Sequence, residues 1–226
     1  MKALYEQLEY ELKNQNIKSL KTIFIGGGTP SCIDTKYYKT LFDLIKKYIN
    51  KNTEITTEAN PNSATKDWLK DMFDFGVNRV SFGVQSFDNQ KLEFLARNHN
   101  QKQAIEAIKN AKSIGFKKIN CDIIYDTVLD TKELIENDLS IISKLPIDHI
   151  SAYSLTLEEG TKFYNKSDIR VEDEDMARYI FDKLNDIGFK QYEISNFAKY
   201  KKPMNVYFDN LKINNKNYSK LKQIVA

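Results

Sequence analysis

The sequence predicts an α/β protein that folds as a partial (β/α) barrel with parallel strands. Five apolar runs alternate with amphipathic helical segments at about the thirty-residue spacing of a βα unit. The runs are almost continuously apolar, which is typical of strands in a parallel sheet. Periodicity alone leaves a doubly wound sheet as an alternative. The barrel is favoured because polar residues follow each run at its C-terminal end, and in a barrel these ends meet at one mouth.

Each element has a local signal in the sequence. The N-terminal "MKALYEQLEYELKNQ" has the pattern of an amphipathic helix, and later helices end at glycines such as Gly76 and Gly115. After the last helix, "KQYEISNF" is a further strand-like run. His99 is predicted to be a loop residue and His149 a solvated residue before a strand, with little role for either. The principal strands are predicted at residues 22–25, 55–58, 79–84, 118–124 and 149–155.

Composition excludes several classes of protein. With 226 residues, 41% hydrophobic and 29% charged, the chain can bury a core and fits one medium domain. No run reaches the roughly 18 apolar residues of a membrane span, and the N-terminus lacks the apolar stretch of a signal peptide, so we expect a cytoplasmic protein. The net charge of +3 is spread along the chain and does not predict nucleic-acid binding. Cys32 and Cys121 give no disulfide framework or metal-ligand spacing, and Cys121 is predicted to face the helical layer as a small core residue.

A glycine triplet follows the first strand in "KTIFIGGGTPSCI". Three glycines in a row carry a high cost in backbone entropy and offer no side chain to a core, so their expected use is close approach of a ligand to the backbone. A tight strand-to-helix turn is the alternative. A phosphate-binding P-loop is disfavoured because no Gly-Lys-Ser/Thr follows.

Several segments in series resemble the coproporphyrinogen III oxidase-like branch of the radical SAM superfamily. They are "FIGGGTPS", "TEANP", "RVSFGVQSF", "LARNH", "NCDIIY", "ISAYSLT" and "YEISNFA", and their order and spacing match that branch. Within it, "GGGTPS", "GVQSF" and "YEISNFAK" are most similar to the HemW group of haem chaperones. The resemblance covers about residues 1–200, which we expect to form the core of a radical SAM-type partial barrel. Residues 201–226 are expected to be a divergent, poorly ordered tail.

The resemblance implies a pocket for S-adenosylmethionine (SAM) at the C-terminal ends of the strands. The glycine turn would run along the methionine moiety, and Glu58 would accept hydrogen bonds from the amino group or a ribose hydroxyl. Gln85 and Arg97 would be donors, with Arg97 suited to the carboxylate. Asp122 would take the ribose hydroxyls, and Thr156 would contact the adenine. The implied pocket comprises Gly27, Gly28, Thr29, Glu58, Gln85, Arg97, Asp122 and Thr156, and it includes no catalytic residue or metal ligand.

Ordinary structural roles remain possible for some of these residues. Glu58 could be an exposed acid at a strand end, and Arg97 could pair with Glu93 at i,i+4 on a helix. Asp122 lies in an apolar run, where a carboxylate is costly to bury without partners. Gln85 is similar but less costly to bury.

The sequence departs from the family pattern at both ends. In the family a Cys-x-x-x-Cys-x-x-Cys loop, which ligates a [4Fe-4S] cluster, follows the first barrel strand and precedes the segment matching "MKALYEQLEYEL". This chain has no cysteine triplet, so we expect it to form no such cluster and to leave the strand at Ile23 with an open edge. The family's C-terminal His-Asn-x-x-Tyr-Trp segment is also missing. We therefore expect the central part of a longer protein, either as a shortened product or as an incomplete sequence.

Three functions follow from the resemblance. The motifs favour a HemW-like haem chaperone that binds SAM, with haem or a porphyrin and haem-accepting proteins as partners. The second is an oxygen-independent coproporphyrinogen III dehydrogenase, which takes a hydrogen atom from a propionate side chain by cofactor chemistry. The third is an inactive, degenerate fragment.

Overall fold

The protein is a partial (β/α) barrel, here seen in a computed structural model that describes residues 1–157, 159–160, 163–164 and 166–199. The predicted tail at 201–226 lies outside the described residues. The strands are β1 Thr22–Ile25, β2 Glu54–Ala59, β3 Arg79–Gln85, β4 Lys118–Tyr125, β5 His149–Ser154, β6 Phe189–Glu193 and β7 Asn196–Lys199. The α-helices are α1 Lys2–Asn14, α2 Thr35–Ile45, α3 Lys66–Phe75, α4 Asn89–Phe94, α5 Gln101–Ile114, α6 Lys132–Lys144 and α7 Glu174–Asp186.

The sheet has the strand order β1-β2-β3-β4-β5-β7-β6. The first five strands are parallel and adjacent in chain order, as the sequence predicts, and each predicted range is within one residue of the observed strand at either end. The predicted run "KQYEISNF" is instead two strands, β6 and β7, joined by a turn at Ile194 and Ser195. β6 and β7 pair antiparallel, because a two-residue turn cannot provide the crossover that a parallel strand requires, and β7 also pairs antiparallel with β5.

The helices pack on one side of the sheet. Buried residues of α2, α3, α5, α6 and α7 form one apolar cluster with alternate residues of the strands, such as Val80, Phe82 and Val84 of β3. Cys121 of β4 is fully buried in this cluster, which confirms its predicted core position. Polar side chains cap most of these helices at their N-termini, and Gly76 and Gly115 end α3 and α5 at positive φ.

The opposite face of the sheet is polar. Ser81, Asn120 and Ser151 lie side by side on β3, β4 and β5, and all three are buried. Strand β1 pairs with β2 alone within the described residues, and Phe24 on it is 65% exposed. The open edge expected at Ile23 is therefore confirmed for the described part of the chain. No helix in the same part is long and apolar enough to cross a membrane.

Candidate functional site

A cleft of about 310 Å³ opens at the C-terminal ends of β3, β4 and β5. Three residues singled out in the sequence, Gln85, Asp122 and Thr156, line it. They come from three separate segments of the chain and meet because the parallel strands end at one edge of the sheet. The remaining lining residues are Ile124, Tyr153, Ser154 and Leu155.

The glycine turn after β1 folds onto the carboxylate of Glu58. The backbone N–H of Gly27 donates to this carboxylate, and a Cβ on Gly26 would stand 3.0 Å from Glu58 Oε2 and 2.5 Å from the Phe24 ring. Gly27 itself has φ +105°, which side chains other than glycine rarely adopt. The glycines therefore allow close contact between the turn and β2.

The space beside the turn is open. A Cβ added to Gly27 or Gly28 would meet no heavy atom of the described residues within 4 Å, which leaves room for a molecule to lie along this backbone. Thr29 follows as an exposed residue with extended backbone, directly before a 3₁₀ turn at Pro30–Cys32. That turn is held to the end of β2, because the Ser31 hydroxyl accepts from the Asn60 N–H at 2.9 Å.

Gln85 occupies a strained position at the end of β3. It has φ +70°, and the pairing of β3 with β4 shifts register between Gly83 and Gln85. Its side chain is buried, and its Oε1 has no hydrogen-bond partner among the residues that the structure describes. Unpaired buried polar atoms are uncommon in folded proteins and call for a specific explanation. A ligand in the cleft would supply the missing donor.

Arg97 lies just after α4 and also has an unpartnered polar atom. Its Nε is buried and forms no hydrogen bond within the described part of the chain. Burial lowers the pKa of the guanidinium, while the negative charge of Asp122 opposes that shift. The alternative pairing with Glu93 along a helix is not observed, because α4 ends at Phe94 and Asp122 is the acid whose charge acts on Arg97. The side chain is available to an anionic ligand group.

Asp122 is the most heavily hydrogen-bonded of the predicted site residues. Its carboxylate accepts from Asn120 Nδ2 at 2.7 Å, from Ser81 Oγ at 3.2 Å and from the Ser151 hydroxyl. Burial raises the pKa of Asp122, and these three donors, together with the charge of Arg79, counteract the rise. The residue has partners for its charge, which answers the objection that a lone carboxylate would be costly there.

The two acids influence each other. Burial is the main cause that raises the pKa of Glu58, and the charge of Asp122 adds to it, while the Gly27 N–H has the opposite effect. Tyr153 stands near both carboxylates. Burial is the main cause that raises the pKa of its phenol, the interaction with Ser151 opposes the rise, and the charges of Asp122 and Glu58 add to it. The strand ends thus form an acidic surface, with Arg97 as a cationic counterpart.

Thr156 lies at the outer side of the cleft. It is exposed, and its hydroxyl donates to the Ser154 carbonyl at 3.4 Å. The structure therefore brings Gln85, Asp122 and Thr156 into one cleft, whose lining does not include Glu58 or Arg97. The charge of Asp122 acts on both Glu58 and Arg97, and the glycine turn lies against Glu58.

The two histidine predictions have different outcomes: His99 lies in a loop, as predicted, whereas the prediction of a solvated His149 was wrong. His99 is buried, and its Nε2 lies 2.9 Å from the Val84 carbonyl, so it fastens the Arg97 loop to β3. His149 is 3% exposed and belongs to β5, where its ring contacts Asn120 and Tyr192. The burial of each histidine depends on contacts with residues distant in sequence: His99 contacts Val84 of β3, and His149 contacts Asn120 and Tyr192.

The sequence reasoning also missed the polar layer beneath Asp122. A signal was present, since polar residues recur every second position in "RVS", "NCD" and "HISAY". That alternation marks one polar face on strands whose other face is apolar.

Comparison with known proteins identifies the family. A family model described as the radical SAM superfamily matches residues 3–137, more than half of the chain. This chain belongs to that superfamily. The heme chaperone HemW of Lactococcus lactis is 35% identical over 205 residues, covering 87% of this chain and 54% of that protein. HemW of Bacillus subtilis is 36% identical over 206 residues, covering 85% of this chain and 54% of that protein. These similarities confirm the predicted HemW-like branch.

A solved radical SAM structure has the same fold. Coproporphyrinogen III oxidase of Escherichia coli, described as a radical SAM enzyme, superposes with a TM-score of 0.79 at 22% identity, covering 92% of this chain and 51% of that one. The chain spans about half the length of the curated relatives it matches.

Membership of the radical SAM superfamily implies two groups, SAM and a [4Fe-4S] cluster, and the described residues fit only SAM. Unpartnered atoms on Gln85 and Arg97, two carboxylates and an open glycine turn suit the polar groups of SAM. They do not fit an iron-sulfur cluster, because no group of three or more His, Cys, Asp or Glu residues in the described part of the chain could hold a metal. Cys32 is exposed and Cys121 is buried in the core, and they are the only cysteines in the sequence.

Proposed function

We propose that this chain carries the SAM-binding barrel of a HemW-like haem chaperone. The main support is that two unpartnered buried atoms, Gln85 Oε1 and Arg97 Nε, belong to the same strand-end group as the carboxylates of Glu58 and Asp122. The similarity to proteins named heme chaperone HemW supports the chaperone part of the proposal.

Each polar group of the ligand has a candidate partner. Arg97 would bind the carboxylate, and Gln85 would accept a hydrogen bond at Oε1. Glu58 would accept from the amino group or a ribose hydroxyl, and Asp122 from ribose hydroxyls. Gly27 and Gly28 would lie along the methionine moiety, with Thr156 beside the adenine. In radical SAM proteins the bound cofactor, together with a [4Fe-4S] cluster, supplies a 5′-deoxyadenosyl radical, and the residues of this chain would position the cofactor.

The two hydrogen-bonding carboxylates require their ionised forms in this role. Hydroxyl and ammonium groups donate, so a protonated Glu58 or Asp122 would lose acceptor capacity. The Gly27 N–H favours the ionised form of Glu58, and the Asn120, Ser81 and Ser151 donors favour that of Asp122, against the burial that raises both pKa values. No step that requires the cluster is assigned to this chain.

Haem or a porphyrin is the proposed cargo of the whole protein, haem-accepting proteins are its proposed partners, and the cytoplasm is its proposed location. Titration with haem distinguishes the chaperone from a coproporphyrinogen III dehydrogenase, since a chaperone binds haem itself. The likeness to coproporphyrinogen III oxidase is one of fold, so the chaperone is preferred. A folded chain that binds neither SAM nor haem would be the inactive fragment.

The test of SAM binding is calorimetric titration of the folded chain with SAM and with S-adenosylhomocysteine. Glu58→Gln and Asp122→Asn should each weaken binding by about 1.5–3 kcal/mol, or roughly ten- to a hundredfold, the value of a charge-assisted hydrogen bond. The control is Asp74→Asn, which removes an exposed carboxylate paired with Lys70 on α3. Unchanged affinity in both site variants, with the fold intact by circular dichroism, would contradict the proposal.

A further inference from the structure

A continuous chain of side-chain hydrogen bonds connects Asp122 with the β6–β7 hairpin. Asp122 accepts from Asn120 Nδ2 at 2.7 Å, and Asn120 Oδ1 lies 2.5 Å from His149 Nδ1. His149 Nε2 in turn lies 2.5 Å from the Tyr192 hydroxyl. The four residues belong to β4, β5 and β6, and Asn120 and His149 are adjacent in register.

The donor and the acceptor of each hydrogen bond between Asp122 and Tyr192 can be assigned. The amide NH₂ of Asn120 faces the oxygens of Asp122, Ser81 and Ser151, so its Oδ1 faces the histidine. Because Oδ1 can only accept, His149 Nδ1 carries the proton. Burial lowers the pKa of His149 to about 3, with the charge of Arg79 contributing, so the ring is neutral and Nε2 is an acceptor. The Tyr192 hydroxyl therefore donates to Nε2.

The tyrosine thus selects the histidine tautomer, and the tautomer selects the orientation of the amide. A donor on Nε2 stabilises the Nδ1–H form, which holds Asn120 with its NH₂ towards Asp122. With the other tautomer, two lone pairs would face each other between His149 Nδ1 and Asn120 Oδ1, and the amide would favour the flipped orientation. A flipped amide would place an oxygen against the Asp122 carboxylate.

We propose that Tyr192 and His149 are positioning residues that keep the Asp122 carboxylate ionised and oriented towards ligand hydroxyl groups. This inference rests on the proposed function, because Asp122 is there the acceptor for the ribose. It adds the hairpin to the binding site, although Tyr192 is absent from the lining of the cleft at the strand ends.

The hairpin itself has other means of attachment. β7 pairs with β5, and Phe189 and Phe197 are almost completely buried in the core. The Tyr192 ring also packs against His149, with centroids 5.5 Å apart. Removing only the hydroxyl leaves these contacts, so Tyr192→Phe is expected to fold.

The experiment uses 5′-methylthioadenosine, which has the ribose hydroxyls but lacks the amino and carboxylate groups. Calorimetric titrations of the whole chain from pH 5 to 8 give its affinity and the pH midpoint at which affinity is lost. Tyr192→Phe should bind roughly fivefold more weakly, the value of about one hydrogen bond, and its midpoint should move to higher pH. His149→Phe should change both quantities in the same direction.

The charged and titratable groups around Asp122 are the same in wild type and Tyr192→Phe. They are Arg79, Arg97, Glu58, Tyr153 and Cys121, so a difference between the two pH profiles reports the hydrogen-bond chain. The matched control is Tyr179→Phe, which removes a hydroxyl bonded to Glu136 on the helical side of the sheet and should leave affinity and midpoint unchanged.

A second measurement needs no ligand. In ¹⁵N spectra of the wild type, the His149 ring should show the Nδ1–H tautomer, and in Tyr192→Phe this preference should weaken. If Tyr192→Phe binds 5′-methylthioadenosine with the affinity and the pH midpoint of the wild type, this inference is overturned and the proposed function is not. A wild-type chain that binds none of the three adenosyl compounds would overturn the proposed function and the inference with it.

Discussion

Replacing Lys91 with methionine should destabilise the fold strongly. Lys91, on α4, is a fully buried lysine: its Nζ donates to the Ile124 carbonyl at 2.7 Å and to Asp130 Oδ1 at 2.5 Å. Asp130 is equally inaccessible, with 3% of its side chain exposed. Through the Ile124 carbonyl, two residues beyond Asp122, Lys91 connects the helix that precedes Arg97 to β4, and through Asp130 it connects that helix to the loop after β4.

The expected loss follows from what the substitution leaves behind. Lys91→Met removes the positive charge and leaves Asp130 as a buried carboxylate, which typically costs about 3–5 kcal/mol. Asp130 keeps two donors, the N–H and hydroxyl of Thr127 at 2.8 and 3.0 Å, so the lower part of that range is expected. The Ile124 carbonyl also loses a partner.

Urea unfolding followed by circular dichroism measures this change, with the slope checked for two-state behaviour. The double variant Lys91→Met with Asp130→Leu should recover most of the stability, because a buried pair exchanged for apolar groups is often neutral. Lys70→Met, which breaks an exposed pair with Asp74, should cost less than about 1 kcal/mol. A loss below 1 kcal/mol for Lys91→Met, or a double variant no more stable than the single one, would refute the reasoning.

Two further predictions concern buried groups. Asp138 accepts from Ser86 Oγ at 2.7 Å and from the Phe87 N–H at 2.8 Å, yet burial raises its pKa from 3.8 to about 6. The protonated Asp138 therefore contributes about 3 kcal/mol to the free energy of unfolding below about pH 4, and this contribution is lost as pH rises through 6. The difference in unfolding free energy between wild type and Asp138→Asn should fall by that order from pH 4 to 7, and a constant difference would contradict the assignment. In native protein one thiol, Cys32, should react rapidly with Ellman's reagent, and the buried Cys121 only in denaturant; two rapid thiols would show that β4 is less well packed.

The parallel strands were predictable because their signals are local. Each is a short run rich in β-branched and aromatic residues between glycines, prolines or helix caps, so its position depends little on distant parts of the chain. The helices α3 and α5 likewise end at Gly76 and Gly115 as predicted. The grouping of Glu58, Gln85 and Asp122 could be anticipated once the strands were known to be parallel.

Other features depend on long-range contacts that no local pattern records. The β6–β7 turn at Ile194 and Ser195 has none of the Asn-Gly or Gly-containing pairs typical of two-residue hairpins, so the run gave no sign of a reversal. The positive φ of Gln85 depends on the register shift against β4. His149 was predicted to be solvated because its partners, Asn120 and Tyr192, are 29 and 43 residues away in sequence.

Strands β3 and β4 have two faces with different roles: the face towards the helices stabilises the fold, and the polar face lies on the ligand side. Side chains such as Phe82 and Ile119 face the helices, whereas their neighbours Ser81 and Asn120 face the ligand side. In a scan of every substitution, changes at helix-facing positions should reduce stability, and changes at ligand-facing positions should reduce binding. The two kinds of position should alternate along each strand. Natural variants could then alter ligand preference through alternate residues of the strands while the helix-facing residues stay constant, so that specificity and stability evolve on separate sets of positions.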